Sequence, residues 1–210
     1  MITLFIDTSS TDVSIALVKD NTILGSITKS LPNQHSIYTT SYIDEILTTA
    51  KINANEIEQI MVVNGPGSFT GVRIGVTIAK VFAYILNIDI ICLSSLKIRA
   101  ISTTHDKCLS LINANRGNYY LGLYDKDNNE IINEHFTNQE EVLNIINKYN
   151  PTIVVDNELT INNITISKKE LDIIAIVKYY HNYQTTNPHL VVPNYLKLPQ
   201  ALEEKKWLKK

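Results

Sequence analysis

The chain has 210 residues, of which 44% are apolar and 19% charged, a composition that excludes an intrinsically disordered protein. Nineteen basic and 21 acidic residues leave a net charge of −2, which excludes the broad basic surface of a protein that holds nucleic acid unaided. Asp7 interrupts the N-terminal apolar run before a signal segment is complete, and the apolar stretch 78–93 is shorter than the roughly 20 residues of a membrane span. We therefore expect a cytoplasmic protein.

The first half of the chain reads as an α/β unit that opens with a three-stranded antiparallel meander. β-rich runs are separated by turn sequences, and apolar residues then recur with helical spacing. In the second helix we predict a core face of Ile74, Ile78, Val81, Phe82 and Ile85. The predicted elements are strands over 3–6, 13–18 and 22–28, a helix over 34–51, a strand over 60–63, a helix over 70–86, a strand over 88–93 and a short helix over 96–102.

The second half repeats this order in weaker form. Thr137 with Glu140, and Ser167 with Glu170, have the spacing of capping boxes, so we expect each pair to open a helix, the second running through His181. The predicted elements are strands over 109–114, 119–124 and 130–136, a helix to 149, a strand over 152–156, a last helix and an irregular tail from 187. Two such copies indicate an internal duplication, with domains over 1–104 and 105–210.

A glycine-rich turn between a strand and a helix is the strongest single motif. It reads GPGSFTGVRIG over 65–75 and places backbone N–H groups where an anion could bind, although tight turning and close helix packing are the favoured explanation of the glycines. The loop DTSS over 7–10 resembles the first phosphate loop of the actin and sugar-kinase superfamily. The candidate nucleotide-binding residues are Asp7, Thr8, Ser10, Gly65, Gly67 and Ser68.

Together with four shorter motifs, this turn resembles the TsaB (YeaZ) family over nearly the whole chain. Those motifs are IDTS over 6–9, HS at 35–36, SSL over 94–96 and PNYL over 193–196. The resemblance implies two tandem actin-like (RNase H-like, ASKHA) halves. It also implies a part in forming N6-threonylcarbamoyladenosine (t6A) at position 37 of tRNAs that read ANN codons. The partners would be the catalytic paralogue TsaD and the ATPase TsaE, with tRNA held only through the complex.

The resemblance implies no catalytic residue in this chain. The metal-binding H-x-x-x-H of TsaD falls on Ser95 and Arg99, neither of which suits a metal. Asn113, Asn115 and Asn118 occupy a turn where the family usually has charged residues. We therefore expect no metal and no cofactor of its own, with any ATP or ADP lying at the partner interface. The alternative is a self-sufficient enzyme, either a nucleotide-dependent phosphotransferase or a glycoprotease-like peptidase, although no G-x-S-x-G elbow is present.

The helices over 34–51 and 70–86 are the predicted contact with the partner. The resemblance implies that they pack against the equivalent pair of TsaD, or against a second copy in a homodimer. Aromatic and apolar side chains beyond the core stripe suit an interface, and completion of an intramolecular core is an equal alternative. The candidate interface residues are Ile37, Tyr38, Tyr42, Val72, Arg73, Val76 and Tyr84.

Overall fold

The structure, a computed structural model, describes residues 1–197 and contains two mixed β-sheets in tandem. The first sheet has the strand order β3-β2-β1-β4-β5. Its strands and the helices of this half are β1 (Ile2–Asp7), β2 (Asp12–Lys19), β3 (Thr22–Ser30), α1 (His35–Ala50), β4 (Gln59–Gly65), α2 (Phe69–Leu86), β5 (Ile90–Ser94) and α3 (Ser95–Ile101).

The second sheet has the order β8-β7-β6-β9, which matches the first four strands of the first sheet in the same sequence. The prediction of a duplicated meander followed by a helix and a parallel strand is thereby confirmed. Its elements are β6 (Lys107–Asn113), β7 (Asn118–Asp125), β8 (Glu130–Asn138), α4 (Gln139–Tyr149), β9 (Thr152–Val155), β10 (Leu159–Ile161), β11 (Ile164–Ile166) and α5 (Ile173–Tyr180).

Strand β1 organises the first half because both of its faces are buried. It pairs antiparallel with β2 and parallel with β4, with Phe5 opposite Ala16 and Met61. Leu4 and Ile6 face the cluster formed with α1 and α2, whereas Phe5 faces a second cluster that includes α5. Helix α5 therefore returns from the second half to cover the first sheet. The boundary between 104 and 105 stays a prediction.

Both predicted capping boxes of the second half are wrong. Asn138 caps α4 by accepting a hydrogen bond from the N–H of Glu141, and Asp172 caps α5 by accepting from Ala175. Helix α5 also ends at Tyr180, one residue before His181. Asn and Asp are among the preferred N-cap residues, and Asn138 and Asp172 each stand three positions before the N–H from which they accept, so they take the place of the Thr and Ser candidates.

The sequence reasoning also missed the hairpin of β10 and β11. Asn162 and Asn163 form its turn with positive φ of 48° and 64°. Asparagine tolerates this left-handed conformation better than most residues, and two such residues between short β-rich runs are a hairpin signal. The pair Asn162-Asn163 could therefore have predicted this hairpin from the sequence. The predicted irregular tail continues past residue 197, outside the described residues.

Helix α2 presents its small residues, rather than its large ones, to the sheet. Gly71, Gly75, Ala79 and Ala83 are buried together with valines of the same face. The predicted core face is correct for Ile78 and Phe82, which pack against the core cluster, and wrong for Val81 and Ile85, which are 51% and 72% exposed. Apolar residues cover most of the helix outside the stripe of Arg73, Thr77 and Lys80, so periodicity could not single out the core face, and only small residues let the helix approach the sheet closely.

By length and composition alone, α2 is the one helix among residues 1–197 that could cross a membrane, with a mean hydropathy of 1.5 over 18 residues. Core helices of folded proteins pass the same test, and the small-residue face of α2 is packed in the core of the first half.

Replacing Gly71 by Ala tests this close approach. A Cβ at position 71 would lie well inside 3.0 Å of the Thr8 carbonyl oxygen, which is backbone and cannot rotate away. We expect Gly71→Ala to cost about 1–3 kcal/mol, as overpacked sites do, and to lower Tm by several degrees. The matched control is Thr77→Ala on the exposed side of α2, where Ala should be neutral or slightly stabilising. Equal melting temperatures for the two variants would contradict the packing.

Candidate functional site

The glycine-rich turn is filled by the chain's own backbone. Ser68 N–H donates to the Ser9 carbonyl at 2.7 Å, and the Ser68 hydroxyl caps α2 by accepting from Gly71 N–H at 3.1 Å. The Thr8 hydroxyl in turn donates to the Gly71 carbonyl at 2.7 Å. A Cβ at Gly67 would collide with the Ser9 carbonyl. These donors are therefore already used, which favours the packing interpretation of the turn.

A segment over 186–196, here called the C-terminal strap, closes the other side of this turn. Asn194 N–H donates to the Asn64 carbonyl at 2.6 Å, and its own carbonyl lies so close to Gly65 that no side chain would fit there. Lys80 Nζ donates to the Val191 carbonyl at 3.0 Å. The glycine-rich motif and the terminal PNYL motif, which are far apart in sequence, are therefore two sides of one contact.

Arg73 fastens the strap to α2. Its Nε donates to the Tyr195 hydroxyl at 2.7 Å, and its guanidinium carbon lies 3.7 Å from the centre of the Phe69 ring. The Phe69 and Tyr195 rings stack with centres 5.2 Å apart. Arg73 was predicted as an interface residue; it is exposed and already has partners within the chain.

His35 explains the short HS motif. Its Nε2 lies 2.9 Å from the Ser10 carbonyl, and the Thr39 hydroxyl donates to the His35 carbonyl at 2.6 Å. His35 is buried at the start of α1. It therefore joins α1 to the loop after β1, the same loop on which α2 packs.

The outer surface of α1 and α2 carries exposed apolar side chains, and we call it the outward face. Its members are Ile37, Tyr38, Val81, Tyr84 and Ile85, which are 63%, 38%, 51%, 69% and 72% exposed. Ile37 and Tyr38 lie at the start of α1 and the other three near the end of α2, and exposed large apolar side chains grouped in this way mark interaction sites on soluble proteins. Three of these residues, Ile37, Tyr38 and Tyr84, were predicted as interface residues.

The remaining three predicted interface residues are in the core instead. Tyr42, Val72 and Val76 are only 8%, 2% and 4% exposed and belong to the cluster beneath α1 and α2. Val72 and Val76 are buried because the small residues of α2 fix the rotation of the helix about its axis. A partner cannot reach these side chains in the folded chain.

A cleft of about 610 Å³ lies on the opposite side of the first sheet, between β1–β3 and the segment before α5. Of the predicted nucleotide-binding residues, Asp7 and Ser10 line it, whereas Gly65, Gly67 and Ser68 do not. Asp7 Oδ1 accepts from Ser9 N–H at 2.8 Å. The two predicted phosphate loops contact each other through Ser9 and Ser68, and only the first of them lines the cleft.

Two contacts join the halves beside this cleft. Lys168 forms an ion pair with Asp12, and the Thr11 hydroxyl donates to the Asn157 side chain at 2.7 Å. Asp156, which precedes Asn157, is buried. Burial raises the pKa of its carboxyl, while the nearby charge of Arg99 opposes that rise.

Ser95 and Arg99 stand where the resemblance places the TsaD metal ligands, and Asn113 and Asn118 stand where the family usually has charged residues. Each of them has a structural partner within the chain or lines the cleft. The Ser95 hydroxyl donates to the Pro66 carbonyl, and Arg99 lines the cleft. Asn113 and Asn118 stabilise the β6–β7 turn, since Asn113 Oδ1 accepts from Asn115 N–H and Asn118 Nδ2 donates to the Asn115 carbonyl.

Sequence reasoning missed a polar network at Glu134. This carboxylate accepts from the hydroxyls of Ser94 and Tyr124, the latter at 2.7 Å. Ser94 also caps α3, so the network ties the start of α3 to the second sheet. Burial raises the pKa of Glu134, although both hydrogen bonds act in the opposite direction. No motif marks Glu134, because its partners lie on other strands: Tyr124 on the neighbouring β7 and Ser94 at the end of β5.

Comparison with known proteins agrees with this architecture. The profile described as "TsaD: tRNA N6-adenosine threonylcarbamoyltransferase" matches residues 22–186. The fold is similar to that of YeaZ from Pseudomonas aeruginosa, with a TM-score of 0.79, 19% sequence identity and coverage of 93% of this chain and 99% of that one. The chain is thus a two-half actin-like protein of the threonylcarbamoyltransferase group.

Curated proteins similar to this chain indicate which family within this group it belongs to. The tRNA threonylcarbamoyladenosine biosynthesis protein TsaB of Bacillus subtilis is 29% identical over 99% of this chain and 98% of its own length. The protein of the same name from Escherichia coli is 33% identical over 61% of this chain and 57% of its own length. The chain belongs to the TsaB (YeaZ) family.

Glu134→Gln tests the buried network. Because the raised pKa means that the folded state binds the Glu134 proton more tightly, wild-type stability from this proton is present at low pH and declines as pH rises through the folded pKa. Glutamine stays neutral and still accepts both hydroxyls. We therefore expect the variant to match wild type near pH 4 and to gain stability relative to it towards pH 7 in urea unfolding. The exposed Glu140→Gln is the control, and parallel profiles for all three proteins would contradict the assignment.

Proposed function

We propose that this chain is a non-catalytic subunit in t6A formation at adenosine 37 of tRNAs that read ANN codons. It acts by binding and activating a TsaD-type transferase together with the ATPase TsaE. The observation that carries the proposal is the outward face, a set of five exposed apolar side chains on α1 and α2. Membership of the TsaB family supports the tRNA pathway.

The outward face suits a partner helix pair because its residues come from two adjacent helices. Ile37 and Tyr38 lie at the start of α1, and Val81, Tyr84 and Ile85 lie near the end of α2. α1 and α2 belong to one buried cluster and present these side chains away from it. Aromatic and large aliphatic side chains dominate the centres of protein interfaces. In the isolated chain the same surface would favour a homodimer.

The chemistry of the site residues supports a partner role over a catalytic one. Ser95 occupies a position of the TsaD metal motif and is hydrogen-bonded inside the fold. The near-neutral charge of the chain leaves most phosphate contacts to its partners. A TsaD-type partner would therefore supply the metal, the nucleotide and most of the RNA surface.

Ile85→Arg tests the contact with the partner. The side chain is 72% exposed, so the substitution should leave the fold intact and place an unpaired charge in the interface. We expect the variant to lose co-elution with a TsaD-type partner in size-exclusion chromatography, a weakening of at least tenfold. Ile164→Arg, at a 65% exposed position on β11, is the matched control and should bind normally.

An intact complex with Ile85→Arg would contradict the proposed interface. Val76→Arg is unsuitable for this purpose, because Val76 is only 4% exposed and an arginine there would disrupt the core.

A further inference from the structure

Arg99 is a buried cation that has no hydrogen-bonded partner among residues 1–197. It lies on α3, is only 4% exposed and lines the cleft between the halves. Its Nε has no hydrogen-bond partner, and within residues 1–197 its guanidinium makes no ion pair within 4.0 Å. Buried charged groups are normally both paired and hydrogen-bonded, because an unpaired one loses its hydration without compensation.

A second cation borders the same space. Lys169 lines the cleft with Arg99, is exposed, and forms no ion pair among the described residues. Its neighbour Lys168 differs, since it is paired with Asp12. Arg99 and Lys169 therefore offer two unused positive groups, one on the floor of the cleft and one at its entrance.

Four carboxylates also face the cleft region, and they decide which ligand is compatible with it. Asp12 is neutralised by Lys168, and Asp7 accepts a backbone N–H. Glu170 is exposed at the rim. Asp156 is buried near Arg99 without an ion pair between them, and burial raises the pKa of its carboxyl while the charge of Arg99 lowers it.

We propose that this cleft binds an oxyanion group, a phosphate or a carboxylate, with Arg99 as the principal donor and Lys169 as the second. An Arg99 that served only to balance Asp156 should contact it in an ion pair, whereas no oxygen of Asp156 lies within 4.0 Å of the Arg99 guanidinium nitrogens. A ligand oxygen accepting from the free guanidinium would satisfy the buried donor. The site lies across the first sheet from the outward face and does not depend on the proposed partner.

Isothermal titration calorimetry on the full-length chain tests this proposal. The probes are inorganic phosphate, acetate and ATP, each matched in ionic strength with sodium chloride. Binding of phosphate but not acetate indicates a tetrahedral oxyanion, and binding of acetate indicates a carboxylate ligand. A much lower Kd for ATP than for phosphate indicates a phosphate that belongs to a nucleotide. Each of these results supports the site, and heats no different from the chloride blank for all three probes would overturn it.

Variants assign the binding to the two cations. We expect Arg99→Gln to weaken binding by about 10- to 100-fold, the loss of a charge-assisted hydrogen bond. Lys169→Ala should weaken it by about two- to fivefold, as for an exposed charge pair. Lys126→Ala, at an exposed lysine on the β7–β8 turn, should bind as wild type.

Lys169→Ala keeps the test decisive if Arg99→Gln does not fold, because Lys169 is exposed and its removal leaves the core untouched. The same probes should raise Tm in wild type and raise it less in Lys169→Ala. Binding that is unchanged in Lys169→Ala and in any folded Arg99→Gln would place the anion elsewhere and overturn the proposal.

Discussion

The close approach of α2 to the loop after β1 is the constraint on which the rest of the first half depends. Gly67 and Gly71 leave room for the backbone of Thr8 and Ser9, and Gly75 leaves room for the Thr8 side chain. This contact fixes the rotation of α2, which turns Val72 and Val76 inward and Ile85 outward. The same turn receives the C-terminal strap at Gly65. A motif that resembles a phosphate loop thus performs a packing role, and the surface it exposes is apolar.

The first sheet separates two regions of different chemistry. On one side, α1 and α2 carry the outward face, where burial of apolar area would drive association. On the other side, the cleft is lined by charged groups, among them the buried guanidinium of Arg99, which has no hydrogen-bonded partner in the part of the chain that the structure describes. Because α5 and the strap both come from the second half of the chain, each region depends on both halves being folded together.

Much of the fold could be predicted from the sequence because its signals are local. Alternating strands, turn residues and repeated element order predicted the two meanders and the duplication. The core face of α2 could not be predicted, since apolar residues cover most of the helix and the choice depends on how closely Gly71 and Gly75 approach Thr8. The caps at Asn138 and Asp172 were missed because neighbouring residues offered a competing pattern. Glu134 and Arg99 carry no motif; only tertiary contacts give them their environment.

The central claim is that this chain supports t6A formation without catalysing it. The most direct measurement is the t6A content of unmodified tRNA incubated with ATP, threonine and bicarbonate, with this chain alone, with a TsaD-type transferase and its ATPase alone, and with all three proteins. We predict no product from this chain alone, little from the transferase and ATPase, and full modification from the three together. Modification by this chain alone, or full modification without it, would contradict the account.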